Sequence, residues 1–141
     1  QPTLVLDVAH NPHSVAALAV NLDQMGYHPA THAVFGAMRD KDIANLLARM
    51  VGRVDHWHFC DLATPRAATA RELADGLKGL ASTLPAAAKA TVECHGNPAQ
   101  ALRSAVEGAD PADRIVVFGS FYTVGAVLKE GLPKLAARHV G

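Results

Sequence analysis

The chain has 141 residues, half of them hydrophobic, which suits one domain with a sizeable core. Its 13 basic and 13 acidic residues balance to a net charge of +0 without a basic run, so electrostatics give no reason to expect a nucleic-acid or membrane partner, and no apolar stretch is long enough to span a bilayer. The two cysteines, Cys60 and Cys94, are too few for a disulfide scaffold and are expected as buried, reduced thiols of a cytoplasmic protein.

The chain opens at Gln1 without a methionine start and runs at once into the strand-like segment Thr3 to Val8. It is therefore expected to be a fragment of a longer polypeptide, beginning near a domain boundary. Asn11 is a plausible helix N-cap with Pro12 at the first helical position, and Val15, Leu18, Ala19, Leu22 and Met25 repeat at helical spacing up to Gly26. His32 to Gly36 reads as the second strand. Asp40 is expected to cap a helix carrying Ile43, Leu46, Leu47 and Met50, with Gly52 as its stop.

Val54 to Leu62 reads as the third strand. Thr69 and Glu72 have capping-box spacing ahead of a helix through Leu73, Leu77 and Leu80. Pro85 is expected to break an alanine-rich connector before a short strand, Ala90 to Cys94. Asn97-Pro98 repeats the cap-then-proline device for a helix through Ala101, Leu102 and Val106. Asp110-Pro111 reads as a turn, and Ile115 to Phe118 as a central parallel strand covered on both faces. Gly119-Ser120 leads into a last helix that Gly131 and Pro133 interrupt, with a short extra turn expected over Lys134 to His139.

Alternating strands and helices predict a Rossmann-like α/β fold, a three-layer α/β/α domain with a mostly parallel sheet of about five or six strands. Ligands of such sheets meet the carboxyl ends of the strands. Two loops there carry suitable chemistry. In Asp7 to Pro12, a carboxylate can accept from sugar hydroxyls, His10 can donate to a phosphate, and the helix N-terminus adds partial positive charge; Asp7 and Asn11 can equally serve as caps. In Gly119 to Gly125, Ser120 can cap the helix or bind a ligand carboxylate or phosphate, while Phe121 and Tyr122 are expected to pack.

No GxxxxGK[ST] loop is present, so the lysine and magnesium ligands of whatever ATP chemistry a parent protein performs lie elsewhere. His56, His58 and Cys60 share one face of their strand, but neighbours on that face stand roughly 6.5–7 Å apart, and no metal site is expected from them. The segment reads instead as an edge or end strand with partly exposed histidines, and His28, His95 and His139 as solvent or loop residues. Arg39 to Asp42 reads as a solvated, capping cluster or an interdomain hinge contact, and Arg66 as solvent-facing or reaching an anionic partner.

Leu6 to His13 closely resembles the segment that opens the C-terminal domain of the dihydrofolate synthase/folylpolyglutamate synthase family, within the Mur ligase superfamily. Gly36 to Asp42, Pro65 to Thr69 and Val117 to Val124 match further segments in order, with Ala37 intervening in a glycine-methionine pair. The resemblance implies an ATP-dependent amide ligase with an N-terminal P-loop domain absent here and residues 1–141 as its C-terminal domain, inactive alone. It implies Asp7, His10 and Asn11 at the ATP, and Ser120 and His10 at L-glutamate. It further implies magnesium held by the other domain, dihydropteroate or folate as acceptor, and a monomer. Two alternatives stand beside it: the C-terminal domain of a peptidoglycan-precursor ligase, and a non-catalytic Rossmann-type binding module.

Overall fold

The computed structural model describes residues 1–130. The extra turn expected over Lys134 to His139 lies outside the described residues, as do Gly131 and Pro133. Five strands, β1 (Thr3–Leu6), β2 (Thr31–Phe35), β3 (His56–Cys60), β4 (Thr91–His95) and β5 (Arg114–Phe118), pair in parallel in the order β1-β5-β2-β3-β4. Six α-helices connect or follow them: α1 (Pro12–Gln24), α2 (Ile43–Met50), α3 (Ala70–Leu80), α4 (Pro85–Lys89), α5 (Pro98–Gly108) and α6 (Phe121–Glu130).

Two cores explain the layering. On one face of the sheet, Phe35, Trp57, Phe59, Val116 and Phe118 pack under Leu18 and Leu22 of α1, Leu46 and Leu47 of α2 and Leu73 and Leu77 of α3. On the other face, Val34, Cys60, Ile115 and Val117 meet Ala101, Leu102 and Ala105 of α5 and Val124 and Val127 of α6. β2 and β5 are buried at every position, the continuous apolar pattern of strands covered on both sides. Each large side chain fully buried this way contributes about 1.5–3 kcal/mol.

The helix starts follow their local chemistry. Asn11 Oδ1 accepts from Ser14 N–H at 2.8 Å, Ser14 Oγ answers the Asn11 N–H, and Pro12 opens α1. Thr69 and Glu72 close the reciprocal box at α3. Asn97 caps α5 with Pro98 behind it. Three expectations need correction. The cap of α2 is Asp42, because its carboxylate sits three residues ahead of the Asn45 N–H, which Asp40 does not. Pro85 starts α4 rather than breaking a connector, since a proline at the first helical position gives up no hydrogen bond. The edge strands among the described residues are β1 and β4; β3 lies inside the sheet, and His58 is buried.

The turn after β5 is the tightest point of the fold. Gly119 has φ +116°, and its N–H donates to Ala9 O at 2.9 Å. A Cβ built on Gly119 would overlap the backbone carbonyl of Gly36 and meet the Phe35 ring at 2.9 Å. Gly119→Ala therefore combines an unfavourable backbone conformation, about 1–2 kcal/mol, with overpacking of about 1–3 kcal/mol. The expected loss is about 2–5 kcal/mol in equilibrium denaturation. A loss below about 0.5 kcal/mol, the ordinary range for surface substitutions, contradicts this packing.

Candidate functional site

β1 and β5 are adjacent and parallel, but the helices that follow them leave to opposite faces: α1 to the first core, α6 to the second. Their carboxyl ends therefore open a crevice at a switch point of the sheet. The β1–α1 turn (residues 7–11) and the β5–α6 turn (119–120) lie side by side there. Asp7 N–H donates to Val117 O at 2.9 Å, and Gly119 N–H to Ala9 O at the same distance. The ring of His10 stands 5.9 Å from that of Phe121 across the join.

Each expected residue has a defined place. Asp7 is half-buried, and its Oδ1 accepts from the Ala9 N–H at 2.8 Å, which fixes the carboxylate at the rim. His10 Nδ1 lies 2.9 Å from Val8 O. A carbonyl can only accept, so Nδ1 carries the proton and Nε2 remains for another partner. Asn11 is exposed and commits its Oδ1 to the cap of α1. Ser120 is only 5% exposed, and its Oγ accepts from Thr123 N–H at 3.1 Å and pairs with Thr123 Oγ1 at 2.9 Å. The Thr123 hydroxyl donates in turn to Gly36 O at 2.8 Å. Ser120 thus faces inward as a cap, while α6 presents the N–H groups of its first turn at the rim.

Phe121 and Tyr122, expected to pack, are 67% and 46% exposed. They stand on the outer side of α6 and line a cleft of about 610 Å³ with Leu62, Gly96, Asn97 and Gly125. Their position just past the cap follows from the helix start at Phe121, which apolar character alone does not reveal.

The neighbouring rim is held by charge. Arg39 Nη2 reaches Glu72 Oε1 at 2.9 Å and its Nη1 reaches Pro65 O, while the Arg39 N–H donates to Arg66 O. Hydrogen bonds from Arg39 and from the Thr69 backbone hold the Glu72 carboxyl down at about 2. The Arg39 side chain therefore ties the β2–α2 and β3–α3 loops together. Met38 to Lys41 and Pro65-Arg66 line a hollow there.

Among the remaining histidines and cysteines, His56, His58 and Cys60 do share a face of β3. Cys60 is buried with Sγ 3.6 Å from Phe35 O, and burial pushes its thiol up to about 12. Cys94, expected to be buried, is exposed because it lies on the outermost strand. His95 is not a solvent residue: it ends β4, 3.2 Å from His58. No helix among the described residues is long and apolar enough to cross a membrane.

Comparison with known proteins agrees with this architecture. The family model described as "Mur ligase, glutamate ligase domain" matches residues 1–121. The chain is 34% identical over 128 residues to the dihydrofolate synthase/folylpolyglutamate synthase of Escherichia coli K12, covering 91% of this chain and 28% of that protein. The solved Escherichia coli FolC in complex with DHPP and ADP superposes with TM-score 0.79 at 32% identity, over 96% of this chain and 29% of that one. A bifunctional folylpolyglutamate synthase/dihydrofolate synthase with Mn, AMPPNP and L-glutamate bound superposes with TM-score 0.75 at 37% identity, over 92% and 29%. The chain thus spans under a third of the length of these relatives.

Ser120→Ala removes the acceptor of the Thr123 N–H inside the protein. We expect a loss of about 1 kcal/mol, read as a lower denaturant midpoint at unchanged slope. An unchanged midpoint means that the cap contributes nothing.

Proposed function

This chain belongs to the Mur ligase, glutamate ligase domain family, and from that premise we propose that it is the C-terminal domain of an ATP-dependent amide ligase that adds L-glutamate to dihydropteroate and to folates. The observation that carries this reading is the join at the switch point. It brings a rim carboxylate, an imidazole nitrogen and two helix N-termini to one edge. These groups suit a ligand with hydroxyls and anionic oxygens.

In the proposed reaction, a carboxylate oxygen of the pterin substrate attacks the γ-phosphorus of ATP, giving an acyl phosphate and ADP. The glutamate amine then attacks the acyl carbon, the C–O bond to phosphate breaks, and an amide, phosphate and a proton are released. Asp7 is assigned to the nucleotide, with the ribose hydroxyls as its partners. Asn11 acts there by capping α1, which orients the first-turn N–H groups. His10 uses Nε2 toward the phosphates or the incoming glutamate. Ser120 serves the glutamate by setting the start of α6, whose N–H groups suit its carboxylate.

The rim fits a nucleotide better than a magnesium ion. Magnesium wants several oxygen ligands, and the rim turns supply one carboxylate, already bonded to Ala9. Among the described residues the one group of three or more His, Cys, Asp or Glu side chains close enough to hold an ion lies elsewhere. Magnesium is accordingly assigned to a P-loop domain that would form the other wall of the pocket. Closure of that wall keeps water from the acyl phosphate. Without it, the chain is expected to be inactive, and we assign it a monomeric state and a cytoplasmic location in the complete enzyme.

The test replaces the matched C-terminal segment of the Escherichia coli relative with this chain and assays ligation of glutamate. ATP- and glutamate-dependent amide formation is expected. Asp7→Ala should raise the KM for ATP by tenfold or more, about 1.4 kcal/mol or above, without altering the folded circular dichroism. An unchanged ATP dependence removes Asp7 from the site. Ser120→Ala should raise the KM for glutamate more than that for ATP. Equal changes for both substrates overturn the Ser120 assignment.

A further inference from the structure

We propose that His58, Glu93 and His95 form a zinc-binding site on β3 and β4, separate from the ligand rim. His58 Nδ1 and His95 Nε2 are 3.2 Å apart. Glu93 Oε1 stands 3.7 Å from the former and 3.4 Å from the latter. Zinc binds imidazole nitrogen and carboxylate oxygen at about 2.0–2.2 Å in tetrahedral geometry, which places ligand atoms about 3.3–3.6 Å from one another. The triangle in this protein has the edges of one face of that tetrahedron.

The sheet register builds the triangle. His58 pairs with Glu93, and Cys60 with His95, so all three ligands emerge on the α5 side from neighbouring parallel strands. Convergence comes from across the sheet, not from along one strand. Ser104 of α5 donates its hydroxyl to Glu93 Oε1 at 2.7 Å, the kind of outer contact that orients a ligating carboxylate.

Without an ion the group is held by two hydrogen bonds, His58 Nδ1 with His95 Nε2 and Ser104 Oγ to Glu93 Oε1. Only one N–H can sit between the two imidazole nitrogens, and the carboxylate at 3.4 and 3.7 Å is too distant for a good hydrogen bond to either. A cation at the centre joins all three ligand atoms directly. Two imidazoles and one carboxylate select a borderline transition metal over magnesium. Three protein ligands leave a fourth position for water, on the side where Glu93 is 56% exposed. β4 lies three strand spacings from β5, roughly 14 Å, so this site is not the nucleotide crevice.

The test is titration of the intact, metal-stripped protein with Co²⁺ and then Zn²⁺ at neutral pH, alongside Glu93→Gln and His95→Gln. Both positions lie on edge strand β4, so neither change opens the aromatic core. Stoichiometric Co²⁺ should produce intense visible d–d bands that Zn²⁺ abolishes. Each variant should weaken Zn²⁺ binding by about 100-fold or more, beyond the range that outer-shell residues alone supply. In the unsubstituted protein, Zn²⁺ should shift the ring resonances of His58 and His95 and leave those of His10, His13 and His28 in place. Bands that persist in both variants, a thiolate charge-transfer band lost on alkylation of Cys94, shifts confined to the other histidines, or no binding below millimolar Zn²⁺ would each overturn the assignment.

Discussion

The rim depends on one close approach. The backbone of Gly119 passes against the carbonyl of Gly36 while its N–H closes onto Ala9. Thr123 then reaches back from α6 to the same Gly36 carbonyl. Three loops, after β1, β5 and β2, are thereby locked into one unit by contacts that no side chain at position 119 could allow. Gly36 is equally confined: a Cβ there would meet Leu62 at 2.9 Å and Cys60 and Thr123 at 3.0 Å. The second core continues directly into this lock through Val124. Packing and site geometry are therefore the same set of contacts, and loosening one displaces the other.

That lock keeps the rim in shape. The polar groups at the rim are already bonded within the chain: Asp7 to Ala9, His10 to Val8, Asn11 to Ser14, Ser120 to Thr123. Asp7 keeps its other carboxylate oxygen and His10 its Nε2 outside these bonds, and the first turns of α1 and α6 keep N–H groups beyond those that the caps take. Side chains pre-oriented in this way lose little conformational freedom when a ligand or a facing domain arrives. Phe121 and Tyr122, large and exposed beside the crevice, fit the same logic, because aromatic faces are rigid contact surfaces.

The strands and the starts of α1, α3 and α5 were legible in the residues because their signals are local, whereas α4 was read as a connector. Continuous apolar runs in β2 and β5, the reciprocal pair Thr69 and Glu72, and Asn-Pro at α1 and α5 each act within four residues. The side-by-side turns were legible only through resemblance and the rule for parallel sheets, since adjacency of β1 and β5 is a matter of strand order. What reading along the chain missed was set across the sheet. The burial of His58 follows from β3 lying between β2 and β4, and the exposure of Cys94 from β4 lying outermost. The inward turn of Ser120 needed the position of Thr123 in the first turn of α6. Asp42 displaced Asp40 as a cap by two residues, a matter of where α2 begins.

Edge strand β4 ties these points to energetics. Among the described residues β4 pairs only with β3, and its first four residues are exposed. A strand so placed has an open row of backbone groups on its outer side and little apolar burial to hold it. Its attachment on the α5 side runs through polar side chains: Thr91 to His56, Glu93 to Ser104, and His95 to His58. Hydrogen bonds of this kind add about 0.5–1.5 kcal/mol each, whereas an ion bound to three of these residues joins both strands at once and stabilises whichever state holds the triangle intact. The same imidazoles that suit zinc exclude the hard cation of phosphate chemistry. On the two readings proposed above, one sheet serves two ligand chemistries, oxyanions at the helix N-termini and a borderline metal three strands away.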